Sequence, residues 1–134
     1  AVEASAAMQP STQTGKRVLD IDDEEDVRTI AQEILLHLGQ HAFTVASGAD
    51  ALQRIESEEQ DFDLVLLDLT MPDMDGLQTF QQIHQAYPKR KVVLCSGYRQ
   101  QEATRDFPQG QLDGFLQKPY GVKKIQRTLQ RIFP

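Results

Sequence analysis

The chain has 134 residues, a net charge of -6 at pH 7, 40% hydrophobic and 25% charged residues, the proportions of an ordinary globular domain long enough to bury one compact core. No apolar run approaches the ~20 residues of a membrane span, and the acidic balance argues against the broad basic footprint of a nucleic-acid binder. The single cysteine, Cys95, has no mate for an internal disulfide and lies in the apolar run KVVLC, so it is read as a core residue, which favours a reducing, cytoplasmic setting.

Residues 1–15, AVEASAAMQPSTQTG, lack sustained periodicity and read as a linker or disordered tail ahead of a domain spanning 16–134. They have neither the basic start nor the apolar centre of a signal peptide. The opening on Ala in place of Met is read as the start of a piece cut from a longer protein.

From residue 16 onward, short apolar runs alternate with segments of helical period. Val18 to Ile21 forms the first expected strand. Val27, Ile30, Ala31, Ile34, Leu35 and Leu38 then repeat as one apolar helix face, with Gly39 as its stop. A second strand is expected at Thr44 to Ala46. Ser47 and Asp50 follow in the spacing of a capping box, opening a helix that carries Leu52 and Ile55. Leu64 to Leu67 is the third strand, and Leu77, Phe80, Ile83 and Tyr87 mark a helix ended by Pro88. Val92 to Cys95 is the fourth strand, followed by a short, weakly apolar helix around Gln100 to Phe107. Gly114 to Gln117 is the fifth strand. A last helix turns Val122, Ile125, Leu129 and Ile132 inward and Lys123, Lys124, Arg127 and Arg131 outward.

Strict alternation implies a parallel sheet covered by helices on both faces, because parallel strands need crossover connections. Such α/β doubly wound folds place their sites beyond the carboxyl ends of the strands. Asp22 and Asp23 follow the first strand, Asp68 the third, Ser96 the fourth, and Lys118 with Pro119 the fifth. Three crowded carboxylates repel one another, by about 4 kcal/mol per pair ~4 Å apart at an effective dielectric of 20. A divalent cation relieves that repulsion, and an all-oxygen set without His or Cys suits a hard ion such as Mg²⁺. Each piece also has a plainer reading. Acids behind a strand cap the next helix and favour its dipole, which is the role expected of Glu24, Glu25 and Asp26. Asp68 could be a turn former, Ser96 a cap, and Lys118 a surface residue.

The combination is more specific than its parts. IDDE at 21–24, LVLLDLTMPDMDG at 64–76, VVLCSGY at 92–98 and GFLQKPY at 114–120 resemble the receiver domain of two-component response regulators. The resemblance covers residues 16 to 133. It implies a five-stranded flavodoxin-like sheet in the order 2-1-3-4-5, whose strand-order logic governs ligand placement. It further implies that Asp68 is the phosphoacceptor, Ser96 the switch hydroxyl, Lys118 the phosphate-binding lysine and Phe115 the switch aromatic, with a cis Lys118-Pro119 bond. Asp23 and Asp68 would contact Mg²⁺, or Mn²⁺ in its stead, directly. Asp22 would act through water, and the Thr70 backbone carbonyl is a further candidate ligand.

The implied donor is a histidine kinase or a histidine phosphotransfer domain. The phrases DLTMPDMDG, SGY and GFLQKPY are similar to receivers fused to hybrid histidine kinases. None of His37, His41 and His84 sits in a kinase H-box, and all three read as surface or boundary residues. Two rivals stand beside this reading. A haloacid-dehalogenase-type phosphatase needs a second Asp where this chain has Thr70, and a pseudo-receiver acting only as a binding module would lack one of the acids or the lysine. Leu36, off the apolar stripe, is a candidate docking residue, and the acid-free stretch from Lys118 to Pro134 could meet a partner or simply face solvent. Asp20 departs from the family pattern, which has an apolar residue there; a carboxylate on a covered interior strand is expected to be a liability with a raised pKa.

Overall fold

The structure, a computed structural model, describes residues 14–58, 61–69 and 76–134. The expected tail falls almost wholly on residues 1–13, outside the described residues, and so does Thr70. Gly15 already belongs to the folded part, since its amide donates to the Gly39 carbonyl at 2.8 Å.

The chain alternates strand and helix throughout: β1 Arg17–Ile21, α1 Glu25–His37, β2 His41–Val45, α2 Gly48–Ser57, β3 Leu64–Asp68, α3 Gly76–Ala86, β4 Lys91–Ser96, α4 Gln100–Ala103, β5 Gly114–Gln117 and α5 Val122–Ile132. Every strand pairing is parallel, and the order is β2-β1-β3-β4-β5, the doubly wound arrangement expected from the motifs. Local chemistry marks several boundaries. Gly39, at φ +83°, ends α1 in a left-handed turn that only glycine adopts cheaply, with the Gln40 amide on the Leu35 carbonyl and the Gly39 amide on that of Leu36. Ser47 caps α2 by accepting the Asp50 amide at 3.1 Å. Asp63 and Asp113 accept the backbone amides of Arg17 and Val92, both at 2.8 Å, so each carboxylate holds the start of a neighbouring strand.

Side chains alternate across the sheet, and the core accordingly splits into two layers. Leu19, Ile21, Val65, Leu67, Val92 and Leu94 face Ala51, Ile55, Phe80 and Ile83 from α2 and α3. Val18, Leu64, Leu66, Val93, Cys95 and Leu116 face Ile34, Leu35, Ile125 and Leu129 from α1 and α5. Cys95 is buried as expected.

Four expectations need correction. The second strand is His41–Val45, not Thr44 to Ala46, because the exposed His41 and half-buried Ala42 already pair with Arg17 and Val18 at the sheet edge, where half-burial weakens the apolar signal. The fourth helix stops at Ala103, where the Thr104 hydroxyl bonds back to the Gln100 carbonyl. Ile30 and Val122, both expected to face inward, are 52% and 40% exposed, so the buried stripe of each helix is narrower than its apolar sequence. Among the described residues no helix is long and apolar enough to cross a membrane.

Candidate functional site

The carboxyl ends of β1, β3, β4 and β5 bring together the residues expected there. Asp22 and Asp23 follow β1, Asp68 and Ser96 close β3 and β4, and Lys118 follows β5. Asp22, Asp68 and Ser96 are buried while Asp23 is exposed, so the cluster opens to solvent on one side only. Each of Asp22, Asp23 and Asp68 offers a carboxylate oxygen within 4.8 Å of the others. Mg²⁺ holds oxygens at ~2.0–2.1 Å, which puts two ligands of one ion no more than ~4.2 Å apart, so small side-chain rotations suffice for a shared ion. The donor set fits a hard divalent cation.

Lys118 is placed from both ends. Its amide donates to the Ser96 carbonyl at 2.7 Å, and the Lys118-Pro119 bond is cis, as the resemblance implied. Its Nζ donates to Asp22 Oδ2 at 2.7 Å and to Asp68 Oδ1 at 3.1 Å. Burial works against the ammonium, but the Asp22 hydrogen bond and the Asp68 charge outweigh it and hold its pKa above the usual lysine range. Burial, and then the charge of Asp22, raise Asp68 to about 6 despite the pull of Lys118. Asp68 therefore stays mostly ionised at neutral pH.

Ser96 Oγ accepts the Tyr98 amide at 3.0 Å, which leaves its own O–H free to donate. Phe115 is half-buried and packs against the layer that faces α2 and α3. Of the three acids assigned to the helix start, Glu24 makes no side-chain cap. Its amide instead donates to Asp22 Oδ1 at 2.9 Å, so Asp22 both caps and belongs to the acid pair. Glu25 and Asp26 lie in the first turn of α1, where they favour the dipole by charge.

Below the site lies Asp20, 2% exposed, with Oδ2 unpaired among the described residues. Burial first, then the charge of Asp22, push its pKa up to about 8. Burial likewise pushes the Cys95 thiol up, with Asp20 the next cause. Two further residues join the site without having been expected. Arg28, half-buried on α1, donates from Nη1 to the Asp22 backbone carbonyl at 2.8 Å. Gly76, at the start of α3, packs so closely that a Cβ there would lie 2.6 Å from the Leu69 Cα and 2.8 Å from the Asp68 carbonyl. The sequence signals were the Arg at the end of DDEEDVR and the Gly closing DMDG. Leu36 is 57% exposed but does not line the apolar groove of about 330 Å³ beside Lys118, which is formed by Glu24, Val27, Ile30, Lys118, Pro119 and Tyr120.

Comparison with known proteins gives the same picture. The profile of the response regulator receiver domain matches residues 18–130. The chain is 31% identical over 115 residues to the sensor kinase CckA of Brucella abortus, covering 86% of this chain but 12% of that protein. It is 29% identical over 116 residues to the chemotaxis protein CheY of Bacillus subtilis, covering 86% of this chain and 95% of that one. Among solved structures, the response regulator TrrA of Thermotoga maritima, in complex with Mg²⁺ and BeF, superposes with a TM-score of 0.77 at 26% identity, covering 88% of this chain and 99% of that chain.

Proposed function

The chain belongs to the response regulator receiver domain family, and from that premise we propose that it accepts a phosphoryl group from a phosphohistidine onto Asp68, with Mg²⁺ held directly by Asp23 and Asp68 and by Asp22 through water, and changes conformation in response. The observation that carries this is the convergence on Asp68: a buried, largely ionised carboxylate with Lys118 Nζ at 3.1 Å and two further carboxylates within 4.8 Å.

A carboxylate oxygen of Asp68 attacks phosphorus, the P–N bond to the donor imidazole breaks, and the departing nitrogen takes the bonding pair. The bound cation supplies neutralisation of phosphoryl and carboxylate charge. Lys118 has three donors, of which Asp22 and Asp68 engage two, so one remains for a phosphoryl oxygen. The free Ser96 O–H serves another. Drawing these groups toward the phosphoryl group favours a state in which Phe115 repacks, a population shift set by the difference in interaction between the two states.

The Thr70 carbonyl is assigned as a further metal ligand, and Mn²⁺ as a substitute for Mg²⁺. Residues 16–134 are proposed as the receiver, with Gly15 tied to it through Gly39, and the residues ahead of that point as a linker. The donor is proposed to be a histidine kinase or histidine phosphotransfer domain, without nucleic-acid or membrane contact by this domain, in the cytoplasm. Similarity to the CckA sensor kinase, of which the chain spans 12%, favours a receiver fused to a hybrid histidine kinase.

The test is incubation with a small-molecule phosphodonor, with and without Mg²⁺, followed by mass spectrometry. One phosphoryl group should appear on Asp68 only with the metal, and none on Asp68→Asn. Label persisting on that variant would move the acceptor elsewhere, absence of label in the parent would favour a pseudo-receiver, and repeated turnover of donor would favour a phosphatase.

A further inference from the structure

Asp22 and Asp23 are held in very different ways. Asp22 donates its amide to the Val45 carbonyl at 3.1 Å, accepts the Glu24 amide on Oδ1 at 2.9 Å and accepts Lys118 on Oδ2 at 2.7 Å. The exposed carboxylate of Asp23 accepts no hydrogen bond among the described residues, so no neighbour fixes its rotamer, and the backbone from which it hangs sets the range of positions it can reach. Among the described residues two side chains hold that backbone: the Asp22 carboxylate, which accepts the Glu24 amide and closes a turn around Asp23, and Arg28. Arg28 reaches back from α1 to the Asp22 carbonyl at 2.8 Å, and this oxygen belongs to the planar peptide unit whose nitrogen is that of Asp23. Because the unit is planar, holding its oxygen holds the direction in which the chain enters Asp23.

We infer that Arg28 is a positioning residue for the acidic site: its guanidinium fixes the Asp22–Asp23 peptide and thereby aims the Asp23 carboxylate toward Asp68, where the two share a divalent cation. The inference rests on the Mg²⁺-assisted phosphoacceptor reading. Arg28 also carries a positive charge near a cluster of acids, and the two effects oppose each other in sign. Charge alone disfavours cation binding, so removing it would tighten Mg²⁺. Positioning favours binding, so removing it weakens Mg²⁺, by ~10-fold if it matches other residues that orient metal ligands.

The deciding experiment is calorimetric titration of Mg²⁺ into the full chain and its Arg28→Met and Arg28→Lys variants, with the NMR signal of the Asp23 amide, whose peptide carbonyl Arg28 holds, followed in the metal-free proteins. Arg28→Met should bind Mg²⁺ ~10-fold more weakly despite the more negative site, with a displaced Asp23 amide signal. Arg28→Lys keeps the charge but replaces a planar fork by a point donor, and should fall between the two. Affinity equal to or tighter than the parent's in Arg28→Met, or weaker affinity with an unaltered Asp23 amide, overturns the inference. Should Arg28→Met fail to fold, Arg28→Lys decides alone: weaker affinity at unchanged charge supports positioning, and parent-like affinity overturns it. A parent chain that takes up no Mg²⁺ fails the phosphoacceptor reading, while the Asp23 amide, measured without metal, still reports on Arg28.

Discussion

Replacing Asp20 with Val should stabilise the metal-free protein. Asp20 pairs in register with Thr44 and Leu66 on the strands either side, and its side chain shares the face of Val18, within the layer covered by α1 and α5. Val fits a covered strand position of this kind. The floor of the gain is the cost of one unpaired buried carboxyl oxygen, about 1–3 kcal/mol. The ceiling follows from proton linkage. The carboxyl titrates near 3.8 when unfolded and about 8 when folded, so at about pH 7 folding carries some three pH units of proton uptake, worth about 4 kcal/mol in all. The two figures describe overlapping penalties, and a gain of about 2–4 kcal/mol is expected, an upward shift of the urea midpoint by about 1–2 M for a domain of this size.

The sign with pH is equally defined. A folded pKa raised above the unfolded one lends stability at low pH that is lost as pH rises through the folded value, so the gap between variant and parent should widen from about pH 4 to about pH 8 and then level off. Urea unfolding at several pH values, in chelator, measures this. Labelling of Asp68 should stay near the parent's. A variant less stable than the parent would refute the reasoning, because Asp20 would then have a partner in solution; a gap independent of pH would show that the penalty is not one of charge.

Asp23→Ala should weaken Mg²⁺ by more than ~10-fold, and by more than Asp22→Ala does, since an exposed, unpaired carboxylate is free to coordinate while Asp22 is occupied by Lys118 and the Glu24 amide. Asp22→Ala should instead lower the denaturant midpoint more, and equal effects in both assays would reject the division of roles. Gly76→Ala should cost about 1–3 kcal/mol, because the added Cβ meets the backbone of Leu69 and Asp68, which has no rotamer to yield. A parent-like midpoint would contradict it. Ile30→Asp, altering the apolar groove beside Lys118, should slow transfer from a phosphohistidine-bearing protein while leaving small-donor labelling intact; equal loss with both donors would place the damage in the site itself.

Sequence made the fold legible where burial is complete. Leu64 to Leu67 is apolar throughout because β3 is covered on both faces, and its run was located to within one residue. β2 was misplaced because an edge strand is only half covered, which leaves His41 and Ala42 without a signal that composition can carry. The same limit explains Ile30 and Val122. Helical period places a residue on a face but does not say how wide the neighbouring layer is, and both positions fall just beyond the contact with sheet and partner helix.

In the site, legibility followed chemistry and not proximity. Asp22, Asp68, Ser96 and Lys118 were readable not singly, since each has a plainer role in a cap, a turn or a surface, but together, because they follow successive strands in motifs that resemble the receiver family and the doubly wound topology brings those strand ends together. Asp20 was readable for the opposite reason, as a residue whose chemistry contradicts its place, and its unpaired oxygen bears that out. Arg28 contradicts nothing. An arginine near the start of a helix, after a run of acids, opposes the helix dipole only weakly and draws no attention, and its bond to the Asp22 carbonyl, six residues back, depends on how the β1–α1 turn folds. Side chains that act on backbone atoms leave no mark in the identity of the residue they hold. Where such a contact follows a local pattern, as Ser47 does in capping α2, the sequence still shows it; the Arg28 bond follows none, and the fold of the turn is what brings it to the peptide that carries Asp23.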